Sequence, residues 1–285
     1  MDAVAEAPET TRDVVLRALE EDRVTRDLSS LAVVPDSGKA LGRLESKDSG
    51  VLSGRSFAAE AFLICDPCVA IEWEVEDGHP IQRGTLLATV SGTSRGLLAA
   101  ERTALNFLSH LSGIATQVSQ SRAEVGSVTV LHTRKTLPGL RDAQRQAVLD
   151  GGGALHRRDL SDEVLLKENH FALSGLSFEE TVFRAVERHP ESVVGVEAES
   201  VEQAFWALRA GAEYVLLDNF SSAELGPAVS AIRLEYPNAI LEVSGGRAPG
   251  GLGELAKVGV NRVSMGSLTH SVRSLDISLF LEPIH

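Results

Sequence analysis

From about residue 128 the chain alternates short apolar runs with stretches of helical period. The runs are 128-VTVLH, 164-VLLKE, 193-VVGVE, 214-YVLLD, 240-ILEVS and 262-RVSMG. Near-continuous β-branched and leucine content marks strands covered on both faces, as in a parallel sheet. Helices with legible starts lie between them: Ser177 and Glu180, Ser200 and Gln203, and Ser221 and Glu224 have capping-box spacing. In the second of these helices Val201, Ala204, Phe205 and Leu208 form the apolar stripe, and Gly211 is placed to end it. Strand starts recur about every 20–30 residues, the spacing of βα units. A seventh strand is expected near Leu149. No Gly-x-Gly-x-x-Gly turn follows the first strand, so a (β/α) barrel of these parallel strands fits better than an open nucleotide-binding sheet.

The first 115 residues follow a different pattern. A helix is predicted near 12–20, and 69-VAIEWEVE alternates so that Val69, Ile71, Trp73 and Val75 share a face. Asp77-Gly78 signals a turn before a strand at 85-TLLATVSG, and 97–119 reads as a long helix with Leu105, Leu108, Leu111 and Ile114 on one side. The α/β chain therefore divides into a smaller N-terminal α+β layer over 1–115 and a barrel over 116–270. Residues 271–285 form a tail expected to pack back on the N-terminal layer. The stretch 76-EDGHPIQRGTLLATV faintly resembles a biotinyl or lipoyl carrier, but no modifiable lysine stands at the hairpin tip.

Composition narrows the function. The 285 residues carry 27 Lys+Arg against 40 Asp+Glu, a net charge of −13. That balance argues against nucleic acid or an anionic membrane as partner, since both require a broad basic face. The N-terminal stretch is acidic without an apolar core, and no run approaches the length of a membrane span, so a cytoplasmic location is expected. Cys65 and Cys68 spell Cys-x-x-Cys, but no second pair completes a zinc site, and the motif precedes an extended segment rather than opening a helix. They read as small residues at a turn.

Against this acidity, Arg102, Arg134, Lys135, Arg141, His156, Arg157 and Lys167 fall in short motifs beside strand ends or helix starts. Such clusters repel themselves unless an anionic ligand neutralises them. In a βα barrel the reacting groups stand where strands end. Here those points carry Thr133-Arg134-Lys135, Lys167-Glu168-Asn169-His170, Glu197 with Glu199, and Asp218-Asn219. The last two runs end in Ser244-Gly245-Gly246 and Gly266-Ser267, whose backbone N–H groups suit a phosphate. Glu197 and Asp218 would point two carboxylates into the mouth, to hold Mg²⁺ directly or through water, accept ribose hydroxyls, or stabilise a cationic transition state; ion pairing with nearby Lys and Arg is the plainer alternative. His79, His110, His132, His189 and His285 lack ligand spacing and read as surface or packing residues.

The segments 101-ERTALNFLSHLSGIAT, 133-TRKTLPGLR, 151-GGGALHRRDLSD, 165-LLKENH, 215-VLLDNF, 242-EVSGG and 266-GSLTHSVRSLDISL run in order across nearly the whole chain. Together they resemble the quinolinate phosphoribosyltransferase family. The resemblance implies transfer of a phosphoribosyl group from phosphoribosyl pyrophosphate to quinolinate with decarboxylation, giving nicotinate mononucleotide for NAD synthesis, with Mg²⁺ as cofactor. It implies an α/β fold, an incomplete (β/α) barrel of six to seven parallel strands with a smaller N-terminal α+β sandwich domain. It further implies that Arg102, Arg134, Lys135, His156, Arg157 and Lys167 line the site, with Glu197 and Asp218 as its acids. It also implies a homodimer with shared active sites, with a hexamer of dimers as a larger assembly. Leu137, Leu155 and Glu168 depart from the residues usual there, without removing a charged site residue.

Two other readings compete. A paralogous phosphoribosyltransferase acting on another aromatic acid is disfavoured by Lys167 and Asn169. A non-catalytic quinolinate- or phosphate-binding protein would be expected to lose one of Glu197, Asp218 or Lys167, and all three are present.

Overall fold

The computed structural model describes residues 10–245 and 251–284. The chain forms two compact units. One comprises the chain up to Thr116, Leu137–Gly151 and the residues from Val272 on; the other comprises Gln117–Thr136 and Gly152–Ser271.

In the first unit α1 (Thr11–Glu21) starts at Thr10, whose hydroxyl and the Asp13 carboxylate cap each other's backbone reciprocally. A short α2 (Leu28–Val33) leads to β1 (Lys39–Ser46), β2 (Gly50–Val51), α3 (Arg55–Cys65), β3 (Ala70–Trp73), β4 (Pro80–Ile81) and β5 (Leu86–Thr93). The long α4 (Ser94–Val125) begins here, and α5 (Arg141–Asp150) also belongs to this unit. The last strand, β12 (Ile277–Ile284), closes a four-stranded sheet of order β12-β1-β5-β3, pairing antiparallel with β1 from Lys39 opposite Ile284 to Ser46 opposite Ile277. Neither β1 nor β12 is evident from sequence pattern, because glycine, arginine and lysine interrupt the first and the second is largely exposed. In β3, Ile71 and Trp73 are half-buried while Ala70 and Glu72 face out, the alternation its sequence predicts. Leu44, Leu87, Leu97, Leu108, Leu111 and Ile114 are buried in the core.

Cys65 ends α3 and Cys68 lies in the following turn, both as free thiols. Burial pushes the Cys65 thiol up to about 11, so it carries no thiolate near neutrality.

The second unit holds a six-stranded parallel sheet: β6 (Thr129–Leu131), β7 (Val164–Leu166), β8 (Val194–Ala198), β9 (Tyr214–Asp218), β10 (Ile240–Ser244) and β11 (Arg262–Ser264). Their order is β6-β11-β10-β9-β8-β7, which leaves β6 and β7 as the two edges of an incomplete barrel. The expected seventh strand near Leu149 is not there. Residues 141–150 are helical, and the only pairing on that side of β6 among the described residues is an isolated bridge between Leu131 and Ala154. Three glycines precede Ala154 and weaken the tendency of this segment to extend the ladder.

Helices α6 (Glu168–Ser174), α7 (Phe178–Arg188), α8 (Val201–Arg209) and α9 (Ser222–Glu235), with the single turns α10 (Leu255–Val258) and α11 (Ser267–His270), connect the strands. The Ser177 and Ser221 caps are reciprocal boxes. The Ser200 cap is one-sided, because the Gln203 side chain accepts instead from the Glu199 N–H at 2.8 Å. Gly211, at φ 98°, ends α8 as expected. No helix among the described residues is long and apolar enough to cross a membrane.

The tail is anchored where Leu275 N–H donates to the Ser109 carbonyl at 3.0 Å. There α4 passes so close that a Cβ on Gly113 would overlap the Arg273 carbonyl oxygen. Gly113→Ala should therefore lower stability, since backbone overlap costs about 1–3 kcal/mol while alanine returns only about 1 kcal/mol of helix propensity. A urea unfolding midpoint at or above the wild-type value would disprove the close approach.

Candidate active site

Successive residues of a strand face opposite ways, so residues two apart share a face. On the sheet of the second unit one face collects Glu163, Leu165 and Lys167 along β7 and its ends, Gly195 and Glu197 on β8, and Tyr214, Leu216 and Asp218 on β9. Ile240, Glu242 and Ser244 on β10 and Arg262, Ser264 and Gly266 on β11 continue it. In the register Ser244 pairs with Asp218, and Glu242 with both Leu216 and Arg262.

The layer at the C-terminal strand ends holds most of the predicted site. Lys167 and Glu197 form an ion pair; the lysine side chain is 40% exposed and the carboxylate 9%. Burial keeps the Glu197 carboxyl above its ordinary range, the Lys167 ammonium pulls against this, and the negative charges of Asp218 and Glu168 add to the rise. Asp218 accepts from the Asn219 side-chain amide at 2.6 Å. Asn219 sits in the left-handed region at φ 57°, and Gly245 comes within 2.7 Å, measured from where its Cβ would stand, of the Asn219 nitrogen. Gly245 is itself at φ 83°, so conformation and space both require glycine there. Ser244 ends β10; Gly246 lies outside the described residues.

Arg134 and Lys135 follow β6. The Lys135 carbonyl accepts from the Thr269 hydroxyl at 2.8 Å, and the Lys135 stem runs 2.7 Å from where a Gly266 Cβ would stand. Gly266 thus clears a path for that lysine at the start of α11, which Ser267 opens.

Like Glu197, His156 is largely enclosed. Its side chain is 8% exposed, with Nδ1 3.2 Å from Glu163 and Nε2 3.3 Å from Glu242. Burial would lower its pKa, but the two carboxylates outweigh it and push the imidazole up to about 9. Arg157 donates from Nη1 to the Glu163 carbonyl at 3.4 Å.

Two predicted cations, Arg102 and Arg141, belong to the first unit. Arg102 lines a cavity of about 370 Å³ with Asn106, Phe107, His110, Leu137 and Leu140. His110 there is half-buried, 2.8 Å from the Gln144 amide nitrogen, and burial lowers its pKa. His132 is fully buried.

With this geometry in view, known proteins give a consistent match. The family model for the quinolinate phosphoribosyl transferase C-terminal domain covers residues 114–280, and that for its N-terminal domain covers 27–112. The chain belongs to the quinolinate phosphoribosyltransferase family. It is 40% identical over 282 residues to the nicotinate-nucleotide pyrophosphorylase (carboxylating) of Mycobacterium leprae, covering 96% of this chain and 98% of that protein. The human protein of the same name is 35% identical, covering 94% and 92%. Among solved structures, NadC from Streptococcus pyogenes superposes with a TM-score of 0.89 at 36% identity, covering 96% of each chain. The nicotinate-nucleotide pyrophosphorylase of Ehrlichia chaffeensis does so at 0.90 and 29%, covering 97% and 100%.

Within this family framework, sequence reasoning misses the lower layer formed by Glu163, Tyr214, Glu242 and Arg262. A signal for it exists: Glu242 and Arg262 are charged residues at strand positions that share a face with Ser244 and Gly266. It is overshadowed by the denser charge and glycine motifs at the strand ends.

Lys167→Met should raise the Glu197 carboxyl further, since it removes the cation that opposes burial. A carboxyl-carbon NMR titration should give a higher Glu197 midpoint than in the wild type. An unchanged midpoint would mean the lysine does not hold Glu197 in solution.

Proposed function

We propose that this chain catalyses phosphoribosyl transfer from phosphoribosyl pyrophosphate to quinolinate, with release of pyrophosphate and CO₂ and formation of nicotinate mononucleotide. The observation that carries the reading is the grouping of Lys167, Glu197, Asp218, Ser244 and Gly266 at one end of a single parallel sheet, in a chain matched by the family models over almost its whole length.

Quinolinate is a dianion and the phosphoribosyl donor carries several more negative charges. Bringing both out of water together is costly unless fixed cations compensate. Arg134 and Arg157 supply planar forks suited to the two pyridine carboxylates, and Lys135 and Lys167 supply compact charges for carboxylate or phosphate oxygens. Ser244 and Gly245, with Gly266 and Ser267, offer backbone N–H groups to the ribose phosphate. The pyridine nitrogen attacks the anomeric carbon as pyrophosphate leaves, and Glu197 and Asp218 stabilise the positive charge that develops on the ribose. The ring 2-carboxylate then leaves as CO₂. No strong general base takes part, so positioning and electrostatics supply the rate.

Among the described residues no group of three or more His, Cys, Asp or Glu side chains could hold a metal. Mg²⁺ is commonly held by one or two carboxylates together with substrate phosphates and water. Glu197 and Asp218 are the residues that would hold it, and the charge of Asp218 on Glu197 favours a cation beside them. When bound, Mg²⁺ neutralises charge on the departing pyrophosphate.

Incubation with quinolinate, phosphoribosyl pyrophosphate and Mg²⁺ should yield nicotinate mononucleotide; failure to form it with folded protein would reject the assignment. Arg134→Ala and Arg157→Ala should each weaken quinolinate much more than nicotinate, which has one carboxylate fewer to grip. A charged hydrogen bond is worth about 1.5–3 kcal/mol. Equal losses for both acids in calorimetry would remove the two arginines from the carboxylate-binding role.

Arg102 completes the proposal as a cation contributed across a two-fold axis to the neighbouring subunit's site. Arg102→Ala and Lys167→Ala, each inactive alone, should regain roughly a quarter of wild-type activity when refolded together, because half the dimers then carry one intact site. A mixture that forms heterodimers and stays inactive would assign Arg102 to its own subunit.

A further inference from the structure

Beneath the strand-end layer, five polar side chains form a closed ring inside the sheet of the second unit. Tyr214 donates its hydroxyl to Glu163 at 2.7 Å. Glu163 lies 3.2 Å from His156 Nδ1, and His156 Nε2 lies 3.3 Å from Glu242. The other Glu242 oxygen is 2.7 Å from Arg262 Nε. The Arg262 guanidinium closes the ring by lying 4.0 Å from the centre of the Tyr214 ring, a cation–π contact. Glu242 is fully buried and Tyr214 nearly so. Space for the phenol exists only because residue 195 is glycine: a Cβ there would overlap the Tyr214 ring.

The charges of this ring decide what His156 is. With an imidazolium, His156 and Arg262 balance Glu163 and Glu242, and the ring is neutral. With a neutral imidazole it carries one uncompensated negative charge, buried directly below a layer read as an anion site. The first arrangement avoids an unpaired buried charge and the second does not. One contact points the other way: the Arg157 backbone N–H lies 2.7 Å from His156 Nδ1, where it would favour a neutral ring accepting it. A single N–H dipole against two carboxylates is the weaker claim on that ring.

We propose that Glu163, Glu242, Tyr214 and Arg262 are positioning residues that lock His156 as a fixed cation under the anion site and so set its affinity for the aromatic dicarboxylate. The proposal rests on the functional reading above. It goes beyond it in assigning work to four residues outside the proposed substrate contacts. The groups facing the imidazole are Glu163, Glu242 and Tyr214, with Arg157 adjacent in the chain and Arg262 one contact further. The upward shift of its pKa is in accord.

The test uses the full-length protein with histidine labelled by 13C at Cε1, the His156 signal being assigned by its loss in His156→Asn. In the unliganded wild type the His156 shift should stay constant from about pH 6 to about 8, where an unperturbed histidine would titrate. A wild-type midpoint near 6.5 would overturn the proposal without any variant. Glu163→Gln keeps the shape and removes one carboxylate, and should bring the His156 midpoint down into that window. As pH rises through the new midpoint, KM for quinolinate should climb roughly five- to tenfold, the effect of losing one nearby charge. Over the same range kcat and KM for phosphoribosyl pyrophosphate should stay flat, and Glu163→Asp should restore the wild-type profile.

If Glu163→Gln leaves both the His156 signal and the KM profile on the wild-type curves, the ring is only packing. If it moves the His156 midpoint while KM stays flat, the lock does not serve the substrate, and the proposal again falls. Should the protein bind no quinolinate by calorimetry while His156 still stays charged to about pH 8, the failure lies in the functional reading rather than in the lock on the imidazole.

Discussion

Charge inside a parallel sheet must be balanced close at hand, and the second unit is organised by that requirement. Parallel strands covered on both faces ordinarily fill the interior with Val, Ile and Leu, because removing a charge from water costs several kcal/mol even after relaxation. Here one face of five strands carries Glu163, Lys167, Glu197, Asp218, Glu242 and Arg262 instead. Most have a partner that period-two alternation brings within reach: Lys167 with Glu197, Arg262 with Glu242, and His156 between Glu163 and Glu242. A one-residue slip in any of these strands would turn its charges into the helix layer, so the register is strongly specified.

The two layers meet this requirement differently, and the difference separates scaffold from site. The lower ring is buried, its Tyr214 and Glu242 nearly inaccessible, and Glu242 meets His156 and Arg262 as a charge rather than through aligned hydrogen bonds. The strand-end layer does not close. Its Lys167 is 40% exposed although its partner is largely buried, and burial and neighbouring acids hold Glu197 above its usual range even with that ammonium present. Around this pair the glycines at 245 and 266 bring loops together, Gly245 against Asn219 and Gly266 against the Lys135 stem. A polar layer that stays open at rigid strand ends leaves its charges, and those of Arg134 and Lys135 after β6, within reach of solvent or a ligand.

Much of this architecture is legible in the amino-acid sequence. Strands covered on both faces write themselves as unbroken apolar runs, so the six strands stand out, as do the polar residues at their ends. Reciprocal caps at Ser177 and Ser221 are equally plain, because a cap is a local interaction between residues three apart. What escapes is non-local. Strand β1 opens at Lys39 and β12 only at Ile277, and each is half-exposed and broken in pattern until the other pairs with it. The strand expected near Leu149 is instead helix, where Ala143, Gln144, Ala147 and Val148 bury one face of 141–150.

The same distinction explains why the lower ring stays hidden while the strand ends do not. A catalytic end announces itself through short motifs such as 133-TRK and 244-SG, each readable within one segment. The ring draws one residue from each of five separate segments, and none is unusual alone: a tyrosine starting a strand, an arginine starting another, a glutamate before a third. Glycine at 195 is the one local trace, since a central strand position gives up packing and rigidity by lacking a side chain. That loss becomes intelligible only with the Tyr214 ring in the vacated space. A small residue facing inward in a central strand is therefore a prompt to ask which large polar side chain it makes room for, and here the answer leads through Glu163 to His156, the histidine under the proposed anion site.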